Sequence, residues 1–335
     1  MIRFPSLLIF AALNLSIAHA ASEARQKKTI EQRLNEIATQ VAPAKLGVAV
    51  FDFQTGKQIG LHADERFPMQ SVFKAPLAAA VFSLAEQGKL SLDQKVTLEE
   101  KDLSAPIGIP ESINEQWPGN REYTILELIE KAVAISDNTA ADLLLSRVSG
   151  PEGVDQYLEK HGIHGMHLDR SERELQPQVH GMGKFQTSWA RGDQFKLALQ
   201  AIPEEIRRKS ITNYLSDPRD TTTPQAALTF LKKLESGELL SKDHTQQLLK
   251  MMSSNRYGTH RLKAGIPADA IFAHKTGTAR VDLGICPAVN DIGIITLANG
   301  KKYAIASFLS GTTLNDVERE AIHSEVARSV FAICW

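Results

Sequence analysis

The sequence predicts a mixed α/β chain of the α+β kind: one antiparallel five-stranded sheet flanked by helices, with an all-helical part inserted. Three observations predict it. β-rich runs lie near both ends of the chain, apolar residues at helical spacing fill the middle, and the last two β-rich runs are joined by Asn299-Gly300, a strong hairpin signal. With 335 residues and 43% apolar content there is ample material for a packed core. The net charge of −1, with both signs interspersed, points away from nucleic acid or an anionic membrane as partner.

In chain order, residues 1–20 have a basic start at Arg3, an apolar run from Leu7 to Ile17 and an Ala18-His19-Ala20 ending. That pattern is a cleaved secretory signal peptide and directs the chain to the periplasm. No later stretch is long and apolar enough to cross a bilayer. Residues 21–335 are read as a single domain, its α/β part covering about 21–66 and 225–335 and its helical part about 67–224. Ile30, Leu34, Ile37 and Val41 recur at helical spacing and predict an amphipathic helix. Lys45 to Phe53, Thr55-Gly56 and the short run to Ala63 predict a hairpin.

A helix apolar on every side follows from Ser71 to Leu84 and stops at Gly88, so it belongs in a core. Pro106, Pro110 and Pro118 mark loops before a capping box at Thr124 and Glu127 opens a further helix. That helix ends at Ser136-Asp137-Asn138, and Thr139 and Pro151 start two more. Pro177 to Thr187 is expected as loop, and Trp189 to Leu215 as a short helical excursion beside the mouth of the site. Helices are predicted from Thr223-Pro224 to Glu235 and from Ser241 to about Ser253. Strands are predicted over Ala270–Thr278, Asp291–Ala298 and Lys301–Leu309, and a last helix from about Thr313.

A serine at a helix start meets free backbone N–H groups and the positive end of the helix dipole. A lysine three residues on lies on the same face, so Ser71 and Lys74 read as a nucleophile with a basic neighbour. Alone, the pair is as readily a capping serine and a solvated lysine. Three further motifs follow in order: Ser136-Asp137-Asn138, Glu172-Arg173-Glu174-Leu175-Gln176 and Lys275-Thr276-Gly277-Thr278, each at an element boundary.

With these residues, from about Glu23 to Phe331, the chain resembles a class A serine β-lactamase of the penicillin-recognising superfamily. The resemblance implies β-lactam hydrolysis through an acyl-Ser71 ester, with antibiotic resistance as its consequence. It also implies a monomer that needs no metal or cofactor and takes a small-molecule β-lactam as its partner.

Each motif then carries an implied role. Lys74 or Glu172, the latter through water, takes the serine proton. Ser136 passes a proton to the leaving nitrogen with Lys275 lowering the cost of the transfer. Asn138 holds the substrate's side-chain amide. Lys275, Thr276 and Gly277 with Thr278 form the strand end that receives the substrate carboxylate and oxyanion, and Arg261 adds a second positive charge. Asp137 is structural. Arg170 pairs with Asp220 to close the Ω-loop.

Two departures from the family pattern stand out. Gln176 occupies a place usually held by asparagine beside the hydrolytic water, and residues 177–216 form an insertion in the Ω-loop. Without Glu172 the remaining motifs would describe a penicillin-binding transpeptidase or carboxypeptidase, or a non-hydrolytic β-lactam sensor. His161, His164 and His167 are separated by glycines and lack a carboxylate or cysteine to complete a set, so no metal site is expected. Cys286 and Cys334 form either one disulfide or two buried thiols.

Overall fold

The computed structural model describes residues 29–331. The expected signal peptide and Cys334 lie outside the described residues, and so does any bridge to Cys334. Cys286 itself is buried beside the carbonyls of Ala279 and Ala288.

Helix α1 (Ile30–Val41) opens on a capping box formed by Thr29 and Gln32 and buries the predicted stripe of Ile30, Leu34, Ile37 and Val41. Strands β1 (Lys45–Asp52) and β2 (Gln58–Leu61) form the expected hairpin, with Gly56 taking a left-handed φ of +73° in the turn. The two-residue strand β3 (Phe67–Pro68) leads into a single 3-10 turn over Gln70–Phe73 and then helix α2 (Lys74–Glu86), buried from Lys74 to Ser83. Ser71 therefore sits in the turn that feeds the core helix, one step before the α-helix proper.

The helical part continues with β4 (Lys95–Thr97), α3 (Ile113–Gln116), β5 (Glu122–Thr124), α4 (Ile125–Ala134), α5 (Asn138–Leu145) and α6 (Gly150–Lys160). Asp137 caps α5, so that helix starts one residue before the predicted Thr139. Next come α7 (Glu172–Val179), α8 (Gln194–Gln200) and α9 (Glu204–Ser216).

The loop expected from Pro177 is a correction: α7 runs through Pro177 to Val179. A proline removes one helix hydrogen bond, but buried Leu175 and Val179 pack with Tyr214 of α9 and hold the turn closed. The chain returns through β6 (Thr221–Thr222), paired with β3, to α10 (Pro224–Glu235) and α11 (Lys242–Ser253).

Strands β7 (Ile271–Thr278), β8 (Cys286–Thr296) and β9 (Lys302–Thr312) and helix α12 (Asp316–Phe331) complete the described chain. β8 begins five residues before the predicted Asp291; Pro287 masks its start in the sequence, yet Cys286 and Ala288 on either side both pair with β9. The antiparallel sheet has the order β2-β1-β9-β8-β7. Its strands alternate faces: Val48 and Val50 join α1 and α12 in one apolar cluster, and Ala49 joins α2 and α10 in the other. The functional residues gather where the edge strand β7 meets the turn before α2.

Candidate active site

Gln70, immediately before Ser71, adopts a left-handed φ of +46°, a conformation that costs a non-glycine residue energy unless its surroundings hold it. Two contacts pin the turn. Asn290 of β8 donates through its amide nitrogen to the carbonyls of Pro68 at 2.8 Å and Met69 at 3.0 Å. β7 closes in at Gly277, where a Cβ would stand 2.4 Å from the Met69 carbonyl oxygen. Gly277 is thus the residue that lets β7 lie against the nucleophile turn.

Lys74, fully buried, directs its ammonium at three acceptors: the Ser136 carbonyl at 2.7 Å, Asn138 Oδ1 at 2.6 Å and Glu172 Oε1 at 2.9 Å. The contact to Glu172 is an ion pair off the angle of a hydrogen bond. Glu172, likewise fully buried, opens α7. Its own N–H and that of Arg173 donate to Asp142 at 2.8 and 3.1 Å, and the Asp142 carboxyl is pushed up to about 7 by burial and by the neighbouring Glu172 charge. Gln176, one turn along the helix, donates from Nε2 to Glu172 Oε2 at 2.8 Å and to Gln70 Oε1 at 3.2 Å.

The start of this loop is clamped. Arg170 Nε lies 2.5 Å from Asp220 Oδ2 with both side chains nearly withdrawn from solvent, and Asp220 Oδ1 accepts the N–H groups of Asp169 and Arg170. Burial raises the Asp220 carboxyl, against the lowering influence of the Arg170 charge.

Lys275 extends from β7 to Ser136 Oγ at 3.0 Å. Burial, and then the charge of Lys74, hold it well below the ordinary lysine range, while Glu172 and Asp291 pull the other way. Ser136 reaches its position through a left-handed φ of +61°. Asn138 fixes its amide by donating to the Ala105 carbonyl at 2.9 Å. Asp137 accepts from the backbone N–H groups of Ile113 and Ala140, the structural role its place in the sequence suggested.

Ser71, Ser136, Asn138, Gln176, Thr276 and Thr278 line one cleft of about 400 Å³, and Arg261 stands on its wall. Arg261 is buried, bonded to Thr278 Oγ1 at 2.8 Å, the Asn290 carbonyl at 3.0 Å and Glu320 Oε1 at 3.1 Å. Around Ser71 stand Lys74, Lys275, Arg261 and Arg280 against Glu172, Asp291 and Glu320, an excess of one basic side chain. Such a site accepts a substrate with one carboxylate and stabilises an oxyanion.

All the residues singled out in the four motifs, with Arg261, converge on this cleft or the buried groups beside it. The histidines do not: His161 bonds the Tyr157 carbonyl, His164 meets Glu159, and His167 lies between Asp155 and Asp169. Gln70, Asp142, Tyr214 and Asn290 also belong to the site's framework, and sequence reasoning missed them. A polar Asn290-Asp291 pair at the head of an apolar β-run was the one visible cue.

The profile of the beta-lactamase enzyme family matches residues 29–333. The extended-spectrum beta-lactamase PER-1 of Pseudomonas aeruginosa is 30% identical over 290 residues, 86% of this chain and 82% of that protein. Beta-lactamase L2 of Stenotrophomonas maltophilia is 31% identical over 287 residues, 85% of this chain and 79% of its own length. Among solved structures, the class A beta-lactamase of the last common ancestor of Gram-negative bacteria superposes with a TM-score of 0.73 at 35% identity, covering 91% of this chain and 99% of that one. A beta-lactamase from Chitinophaga pinensis gives a TM-score of 0.74 at 30% identity, with coverage of 91% and 99%.

Proposed function

The chain belongs to the beta-lactamase enzyme family, in its class A serine branch, and from that premise we propose how its own residues divide the hydrolysis of a β-lactam amide. Ser71 Oγ attacks the lactam carbonyl. The oxyanion that forms is met by the backbone N–H groups of Ser71 and Thr278, a type of contact worth about 100- to 1000-fold in rate per donor. The C–N bond then breaks and the nitrogen takes a proton from Ser136, whose hydroxyl Lys275 holds at 3.0 Å; the proton that left Ser71 for Glu172 refills Ser136 and leaves Glu172 ionised for the second half. Lys275, Thr276 and Arg261 receive the substrate carboxylate, and Asn138 the side-chain amide.

Lys74 already donates to the Ser136 carbonyl and Asn138 Oδ1 and pairs with Glu172, so the proton-accepting role falls to Glu172 acting through water. In the second half the same carboxylate deprotonates the water that attacks the acyl-Ser71 ester, freeing Ser71 and the ring-opened acid. One observation carries this reading: Glu172 is buried, paired with Lys74 at 2.9 Å and bonded to Gln176, which lines the cleft with Ser71. A penicillin-binding transpeptidase or a sensor has no use for a carboxylate so placed.

The periplasm is the proposed compartment and a monomer the proposed state. The sequence of residues 1–20 supports the former, and among the described residues no helix is long and apolar enough to cross a membrane.

Intact mass after mixing with a penicillin tests the assignment. The unaltered protein turns the drug over and carries no lasting adduct, Ser71→Ala never acquires one, and Glu172→Ala accumulates a one-to-one adduct while turnover falls by about 100- to 10,000-fold. Turnover at the original rate in Glu172→Ala would sink the assignment of the base.

A further inference from the structure

Helix α9 lies in the segment 177–216, far from the four motifs in sequence, yet it delivers one polar group to the site. Tyr214 is 4% exposed and its ring packs with Leu175 and Val179 of α7. Its hydroxyl oxygen lies 2.6 Å from Gln70 Nε2. Gln70 is itself buried, and its Oε1 accepts from Gln176 Nε2 at 3.2 Å, the same nitrogen that donates to Glu172 Oε2 at 2.8 Å. Tyr214, Gln70, Gln176 and Glu172 form one chain of hydrogen bonds from the outer helix to the proposed base.

The chain has a direction. Glu172 as a carboxylate only accepts, so Gln176 turns its NH2 inward and leaves its carbonyl oxygen as the polar end available to the cleft it lines. Gln70 must then present its own carbonyl to Gln176, which places the Gln70 NH2 toward Tyr214. Burial pushes the Tyr214 phenol up, so it stays protonated and its oxygen lone pairs accept. If the Gln70 amide turned over, its NH2 would confront the Gln176 NH2, donor against donor, and displace it. Glutamine needs such a tether because its stem has one more torsion than asparagine's.

We propose that Tyr214 is a positioning residue for deacylation: by accepting from Gln70 it locks two glutamine amides in series, so that the Gln176 carbonyl oxygen and the Glu172 carboxylate together address the hydrolytic water. Segment 177–216, none of whose residues lines the cleft, thereby contributes to catalysis from behind Gln176. The inference rests on the reading of Glu172 as the base that activates water.

Tyr214→Phe tests it, because the substitution removes one oxygen and keeps the ring in its apolar cluster. With a penicillin in stopped-flow, deacylation slows about fivefold to tenfold, the share expected of one buried hydrogen bond. Acylation draws on the same carboxylate but not on the aim of the water at the ester carbonyl, so it slows less, and kcat falls further than kcat/KM. In the Gln176→Asn background the shorter side chain cannot span from Glu172 to Gln70, so adding Tyr214→Phe brings no further loss. A fall of kcat/KM in step with kcat, or an equal loss in both backgrounds, would mean a merely structural tyrosine and overturn the proposal.

Should Tyr214→Phe fail to fold, Gln70→Met cuts the same link from the other end, and an unchanged deacylation rate there overturns the proposal equally. Glu172→Ala separates the two levels. If it traps the adduct while Tyr214→Phe deacylates normally, this inference alone falls; if it traps nothing, the assignment of the base falls first.

Discussion

Lys275 is a cation kept where cations are expensive, withdrawn from water and facing the charge of Lys74. Its lowered pKa means that the charge is present at low pH and is lost as pH rises through a value below the usual lysine range. With the charge go a donor to Ser136 Oγ and the attraction for a substrate carboxylate. We therefore expect kcat/KM for a β-lactam to decline on the alkaline side earlier than an ordinary lysine would allow. Lys275→Arg, which stays charged, should move that limb to higher pH while lowering the plateau, since a planar fork fills the space differently. Identical limbs in the two pH profiles would exclude Lys275 as the titrating group. At this scale Ser71, Lys74, Ser136 and Lys275 were legible because a fixed spacing carries their chemistry. Gln70 was not: its role depends on a left-handed backbone and on a tyrosine 144 residues away, and neither leaves a local pattern.

The clamp at the mouth of the Ω-loop shows what an element needs in order to hold a base in place. Arg170 and Asp220 sit 50 positions apart and bring the two ends of the loop together, with Asp217 adding a second carboxylate 3.3 Å from the guanidinium. Removing one member strands a buried charge. Arg170→Ala should cost about 3 to 5 kcal/mol in urea unfolding, and Arg170→Ala with Asp220→Ala together less than the sum of the singles. A loss under about 1 kcal/mol, the worth of an exposed pair, would contradict the burial seen here. The sequence marked this pair through resemblance and predicted the helices of the excursion from their periodicity. It misread two prolines. Pro177 reads as a stop, yet α7 continues because Leu175 and Val179 find Tyr214; Pro287 hides the first turn of pairing in β8. In both cases tertiary partners overrode a local signal.

Across the whole molecule, the site is the seam between the helical part and the sheet, so its electrostatics enter the stability of the fold. Asp142, on α5 against the first turn of α7, is raised to about 7 in the folded state from an ordinary value of 3.8. Between those values the folded chain holds a proton that the unfolded chain releases. Its contribution to stability is complete below the lower value and disappears as pH climbs through the upper one. Asp142→Asn cannot ionise, so its melting temperature relative to the unaltered protein should rise between about pH 4 and pH 8. Parallel melting curves over that range would show that Asp142 does not titrate as described. The five-strand count and the helices on both faces were legible because burial imposes alternation and helical period on the residues themselves. The convergence of remote loops on Glu172 was not, since no period encodes it.

In the sheet order β2-β1-β9-β8-β7, the strand made last among these lies in the middle, joining the first hairpin to the final one. Until Lys302 to Thr312 has been synthesised, the ribbon of β1 and β2 and the ribbon of β7 and β8, which carries the contacts to the Ser71 turn, have no strand to join them. Assembly of this enzyme therefore waits for nearly the entire polypeptide, and a ribosome that stops before residue 302 leaves two unconnected ribbons rather than a weakened catalyst.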